Sequence, residues 1–234
     1  MKIGIMQPYF VPYIGYWQLM NLVDKYVIYD DVNFIKGGWI NRNRILVNGD
    51  IKYFNIPMAG ASPYKKINEI NVNNDNRIVE KNIRIIEGAY KKAPFYKEVF
   101  PMVEQILRCG KNNISGYIEY SFHIIAGYLG ITTEFIISSL LNKNCSLKGQ
   151  DKVLDICKRL GATEYYNAIG GMELYSFDAF RENGIILKFL ETGEIKYKQF
   201  GNIFHDNLSI IDVMMFNPRE TVQSMLGNYK IIDG

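Results

Sequence analysis

Cysteine is scarce. The 234-residue chain has three, Cys109, Cys145 and Cys157, widely spaced and without a CxxC pair. That pattern argues against a disulfide framework and a zinc site, and it fits a reduced, intracellular setting. Histidine is scarcer still, with only His123 and His205. Two distant imidazoles without clustered acids argue against a metal centre. Charge of one sign is lacking too: a net +3 is too small to argue for nucleic acid by itself. No apolar run reaches the ~18 residues that a membrane span needs. No basic segment with a small-residue cleavage site precedes the first apolar run. The expectation is a soluble, cytoplasmic chain. Internal repeats and low-complexity linkers are also missing, so residues 1–234 read as one domain, with a helical cap at 77–130.

What is present is a full complement of core residues, 48% hydrophobic against 22% charged, as in ordinary globular chains. Seventeen Tyr and thirteen Phe are many. Tyrosine-rich clefts often hold sugars or nucleotides, although filling half-buried positions is the plainer role. An apolar run from Ile3 to Met6 stops at Gln7-Pro8. A Pro/Tyr/Gly loop and a helical stretch from Gly15 to Val23 follow. A second run, Tyr26 to Tyr29, ends on Asp30 and Asp31. Strand, loop, helix and strand make a βαβ unit with parallel strands. Ligands of parallel sheets sit outside the carboxyl ends of the strands, here at Gln7, Pro8 and Tyr9 and at Asp30 and Asp31.

Asn48-Gly49-Asp50 between RILV and IKYFNI predicts a hairpin of 42–47 with 51–56. A short strand is predicted over 67–72. Helical spacing runs over 76–90, 96–109 and 115–129, the last closed by Gly130. Further strands are predicted at 133–139, 164–167 and 185–190, and helices at 151–160, 177–182, 209–216 and 219–226. The fold class is therefore α/β, a mostly parallel sheet flanked by helices, with a β-hairpin insertion and a helical segment.

Several stretches resemble the WbqC-like protein family. They are MQPYFVPYIGYWQLM, VIYDDVNFIKGGWINRNRI, KKAPFY from Lys91, LGI from Leu129, KGQDKVLDICKRLGATEYYN from Lys148, Gly170-Gly171 and LSIIDVMMFN from Leu208. The resemblance covers nearly the whole chain. It implies a role in making bacterial surface polysaccharide such as O-antigen, by attaching an acyl or aminoacyl group to the amine of a nucleotide-linked amino sugar. The donor it implies is an acyl carrier, an adenylate or an aminoacyl-tRNA; the sequence does not choose. Tyr13-Ile14-Gly15-Tyr16 also has the shape of the HIGH motif of adenylate-forming nucleotidyltransferases. Here, however, both imidazoles are replaced by Tyr, and no KMSKS follows. An adenylate-forming enzyme and a non-catalytic sugar-nucleotide-binding protein are the alternative readings.

Against that background, Asp30 and Asp31 are candidates for the base that deprotonates a sugar ammonium. Ending a strand and capping the next turn is the equally good plain role. Adjacent strand residues face opposite ways, so at most one meets a ligand. Gln7, held extended by Pro8, can bind a hydroxyl or a base edge. Tyr9 and Tyr13 can stack on a ring. Lys36, Arg42 and Arg44 surround Trp39 and Asn41, a basic and aromatic patch suited to a diphosphate; a solvated hairpin face is the plain role. Lys148 and Asp151 lie where a loop enters a helix, either as an anion site or with Asp151 as N-cap. Gly170 and Gly171 would let a ligand approach the backbone. His205, beside Asp206, is a third base candidate. Cys145 and Cys157 are weak nucleophile candidates, since Cys157 falls on an apolar helix face.

Overall fold

The computed structural model describes residues 1–201 and 203–233. β1 (Lys2–Met6), α1 (Ile14–Leu22) and β2 (Lys25–Ile28) form the expected crossover. β1 and β2 are parallel neighbours with Met6 opposite Ile28. A long insertion then leaves and re-enters the sheet. It contains the hairpin β3 (Arg42–Val47) and β4 (Asp50–Asn55), a two-residue pair β5 (Met58–Ala59) and β6 (Asn71–Val72), and helices α2 (Asn76–Tyr90), α3 (Tyr96–Leu107) and α4 (Ile114–Leu129). The chain returns as β7 (Glu134–Ile137), parallel to β2. α5 (Gly149–Arg159), β8 (Glu164–Ala168), α6 (Phe177–Glu182) and β9 (Ile186–Thr192) follow. α7 (Ile210–Phe216), α8 (Arg219–Met225) and β10 (Tyr229–Asp233) close the chain.

The sheet order is β10-β9-β8-β1-β2-β7, parallel throughout except for β10 against β9. One face is covered by α1 and α4, where Trp17, Tyr26 and Phe122 meet edge to face. The other is covered by α5 and α6, where Ile156, Cys157 and Phe180 pack on Ile3, Val27 and Tyr165. Each fully buried apolar side chain contributes about 1.5–3 kcal/mol, so two filled faces fix β1 and β2 at the centre. α4 shows how local chemistry sets the ends: Asn113 accepts from the Ser115 and Gly116 amides, and Gly130 stops the helix at φ +74°. Among the described residues no helix is long and apolar enough to cross a membrane.

Three expectations change. Residues 67–72 are a single 3₁₀ turn, Ile67–Glu69, followed by two-residue β6, because the partner offered by β5 is only two residues long. Helix α5 starts two residues earlier than expected, so Lys148 holds the N-cap position and Asp151 lies exposed in the first turn. β10 was not foreseen; it pairs with an extended β9 whose last residue is Thr192.

Candidate functional site

The loop after β1 is held in a costly conformation. Val11, a β-branched residue, has φ +38°, a region that costs such a residue about 1–3 kcal/mol. Surrounding bonds hold it there. The buried Asn43 side chain on β3 donates to the carbonyls of Phe10 and Val11, both at 3.0 Å. Ser209, the N-cap of α7, donates to the Val11 carbonyl at 2.7 Å. The Trp17 indole of α1 donates to the Pro12 carbonyl at 3.1 Å, and the Phe10 amide to the Trp39 carbonyl at 3.2 Å. Hairpin, closing helix and first crossover thus converge on residues 8–13.

Above this loop lies a cavity of about 490 Å³ lined by Tyr9, Pro12, Tyr13, Trp39, Asn43, Arg44 and Asn207. Arg44 donates to the Asn207 carbonyl at 2.9 Å and lies 5.6 Å from the Trp39 ring. Its Nε is buried without a hydrogen-bond partner among the described residues, a state that costs energy unless something else accepts from it. A second cavity of about 560 Å³ shares Asn207 and is lined by Thr192, Tyr197, His205 and Asp206 among others. β1, β8 and β9 run the same way, so both cavities open at the carboxyl rim, on the β9 side of β1.

His205 is held by its backbone. Its amide donates to Gln199 Oε1 at 2.8 Å and its carbonyl accepts from Gln199 Nε2 at 2.8 Å. Beneath lies buried Asp212 of α7. It accepts from the Tyr90 hydroxyl at 2.8 Å, the Tyr197 hydroxyl at 2.7 Å and Gln199 Nε2 at 3.3 Å. Burial pushes its carboxyl above the usual range, outweighing the hydrogen bonds from Tyr197, Tyr90 and Gln199.

Asp30 and Asp31 lie on the other side of β1, toward β7, and line neither cavity. They are 1% and 7% exposed. They follow β2 and face opposite ways, Asp30 toward α4 and Asp31 toward α5. Asp30 accepts from Ser115 Oγ of α4 at 2.9 Å, Ser139 Oγ at 2.8 Å and the Ser139 amide at 2.9 Å. Asp31 meets Lys152 Nζ of α5 at 2.7 Å, Lys143 Nζ at 3.0 Å and Ser138 Oγ at 2.7 Å. Burial alone would raise the Asp31 carboxyl, but the bonds from Lys152, Ser138 and Lys143 outweigh it and hold the group below its ordinary value. These are the bonds of a carboxylate that ties β2, β7 and α5 together. A ligand has no opening to either acid through the two cavities.

The basic patch also divides. Arg44 and Trp39 line the first cavity, whereas Lys36, Asn41 and Arg42 line a separate groove beside the hairpin. The Gln7 carbonyl accepts from the buried Tyr16 hydroxyl; of the YIGY stretch, Tyr13 lines the first cavity and Ile14 the second. Gly170 and Gly171 sit in a 3₁₀ turn, Ile169–Leu174. A Cβ on Gly171 would lie 2.8 Å from Asn167 Oδ1, so this glycine makes room for a side chain of the fold. Lys148 and Asp151 are exposed at the start of α5 and line neither cavity.

Comparison with known families places this arrangement. The WbqC-like protein family matches residues 7–224, from the end of β1 through α8. The chain belongs to that family. A relative from Mycobacterium tuberculosis, described as "Uncharacterized protein Rv1507c", is 26% identical over 219 residues, covering 92% of this chain and 93% of its own length. No solved structure matches. The matched span of this WbqC-like protein contains every residue of both cavities.

Sequence reasoning missed Asn43, Ser209, Asn207 and Asp212. Asn43 lies inside a strand, where Asn is depleted. Asp212 is a lone acid in the apolar run LSIIDVMMF, and a lone acid in such a run calls for a buried partner. Both were visible signals.

Proposed function

We propose that this protein transfers an acyl or aminoacyl group to the amine of a nucleotide-linked amino sugar, in the making of bacterial surface polysaccharide such as O-antigen. One observation carries this reading: a cavity walled by Tyr9, Tyr13 and Trp39 around an Arg44 guanidinium whose buried Nε lacks a partner. Aromatic faces suit a base or a sugar ring. A guanidinium suits the oxygens of a diphosphate. Membership of the family supports the sugar context.

In this reading Trp39 and Tyr9 bracket the ring, and Arg44 takes the phosphates. The amino group extends past Asn207 into the neighbouring cavity. There His205 accepts the proton of the sugar ammonium. The freed amine attacks the acyl carbon, a C–N bond forms, and the bond to the donor's leaving group breaks. Gln199 positions His205, and the Asp212 cluster holds Gln199. Asp30 and Asp31 hold the sheet rim and take no proton from substrate. Nucleotide sugars and activated donors place the reaction in the cytoplasm.

The test is to incubate the protein with UDP- and dTDP-amino sugars and candidate donors, and to read the sugar nucleotide by mass spectrometry. The expected result is a gain of one acyl or aminoacyl mass, lost in Arg44→Ala and in His205→Ala. No gain with any pair refutes the reading.

A further inference from the structure

The groove beside the hairpin differs in chemistry from the two cavities at the rim. It has a volume of about 990 Å³, at the upper end of the ~300–1,000 Å³ of small-molecule sites. Its lining holds three cations, Lys36, Arg42 and Lys81, and no carboxylate. None of the three forms an ion pair among the described residues. The remaining wall is largely apolar, with Ile56, Met58 and Ile85 among its residues. Two amides complete it. Asn41 Nδ2 donates to the Ile56 carbonyl at 3.0 Å and Asn82 Nδ2 to the Asn55 carbonyl at 3.1 Å, so each keeps a side-chain oxygen able to accept.

A single aromatic ring links this groove to the first cavity. Arg42, in the groove, and Arg44, in the cavity, lie two residues apart on β3. Their guanidinium carbons are 5.9 and 5.6 Å from the Trp39 ring centre. Arg42 lies closer still to the Tyr53 ring, at 4.4 Å, and Tyr53 lines the groove, so the groove and the cavity are neighbours joined through the Trp39, Arg42 and Arg44 side chains.

We propose that the groove is a second binding site, for a phosphopantetheine-linked acyl thioester that serves as donor. The choice of a thioester rests on the acyl-transfer reading above. Lys36 and Lys81, with the positive charge of Arg42, whose guanidinium also donates to the Gly37 and Gly38 carbonyls, match the phosphates, the apolar wall matches the methylene arm, and the two Asn oxygens match its amide N–H groups. A transfer RNA would need a broad basic surface, and the net charge of the chain is only +3. Transfer breaks the thioester C–S bond and forms the C–N bond to the sugar amine; the proton that the attacking nitrogen sheds goes to the departing thiolate, which leaves as the thiol, and the ammonium proton taken up first by the base is released to water.

The full chain would be titrated calorimetrically with coenzyme A, with 4′-phosphopantetheine and with a phosphopantetheinylated carrier protein. These arms separate a free coenzyme from a carrier-bound arm. Binding by one of them is expected. It should weaken by about tenfold or more in the exposed double variant Lys36→Glu/Lys81→Glu, as expected for losing a charge-assisted contact. UDP binding in the Arg44 cavity should change less than about twofold. Absence of binding by all three probes overturns the proposal. So does binding indifferent to the double variant, displacement of the probe by UDP, or binding of transfer RNA in its place. If a phosphopantetheine probe binds as expected yet its acyl thioester acylates no amino sugar, the groove assignment stands and the proposed reaction falls.

Discussion

Replacing Asp31 with Asn separates a structural acid from a catalytic one. The side chain is buried with two lysine ammonium groups at 2.7 and 3.0 Å, whose own side chains are 7% and 1% exposed. The substitution removes the one carboxylate bonded to both and leaves two cations in the interior. Breaking a buried pair from one side costs about 3–5 kcal/mol. For a chain of this size that lowers Tm by roughly 6–20 °C, at about 2–4 °C per kcal/mol. Asp30→Asn should cost less, about 1–3 kcal/mol, because Asp30 accepts from neutral donors and no cation is stranded. Urea and thermal unfolding of the three proteins would measure both. The pH dependence adds a signature. The Asp31 carboxyl titrates lower folded than unfolded, so it stabilises the fold above the ordinary carboxylate range and loses that contribution as the pH falls through its folded value. The gap between wild type and Asp31→Asn should therefore shrink in acid. An Asp31→Asn protein as stable as wild type but inactive would refute the structural assignment and return Asp31 to the chemistry.

Three further outcomes follow from the site. Asn43→Ala removes two bonds to buried carbonyls at the strained Val11, and should cost about 2–4 kcal/mol in urea unfolding and weaken nucleotide-sugar binding; unchanged binding would show that the loop holds its shape without Asn43. Gly15→Ala places a methyl 2.3 Å from Thr192 Oγ1 and 2.5 Å from the Tyr13 ring, one residue from each cavity. Overpacking of this kind costs about 1–3 kcal/mol, and a variant with wild-type Tm and binding would contradict the packing. Burial pushes the Cys157 thiol up to about 12, whereas Cys145 is exposed. Thiol titration of the native protein should label Cys145 first, half-buried Cys109 more slowly and Cys157 only on unfolding, and Cys145→Ser should retain activity; labelling of Cys157 in the native protein or loss of turnover would overturn this.

Much of the scaffold was legible because it follows from local rules. The first crossover showed as two apolar runs around a helical spacing, and the 3–4 hairpin as Asn48-Gly49, both at positive φ in the structure. β10 was not legible: YKIID is short, and its pairing depends on how far β9 extends. Tyr9 and Tyr13 were read as one loop and Arg44 and Trp39 as part of a separate basic patch; that all four line one cavity was not legible, because it depends on how the hairpin packs on the loop. Which side of β1 the cavity opens on was not legible. That depends on β9 and on where residues 203–209 lie across the rim, through contacts of nearly two hundred residues' separation such as Ser209 to Val11. The partners of Asp31 were not legible either, because Lys143 and Lys152 come from more than a hundred residues away.

The most direct measurement is the fluorescence of Trp39 on titration with UDP- and dTDP-amino sugars. The chain has two tryptophans; Trp17 is fully buried in α1 and its indole bonds the Pro12 carbonyl of the cavity loop, so Trp39→Phe is the control that assigns the change to Trp39. A saturable change that disappears in Trp39→Phe and weakens in Arg44→Ala is the predicted result; a flat titration with every sugar nucleotide would contradict a nucleotide-sugar site at the end of β1.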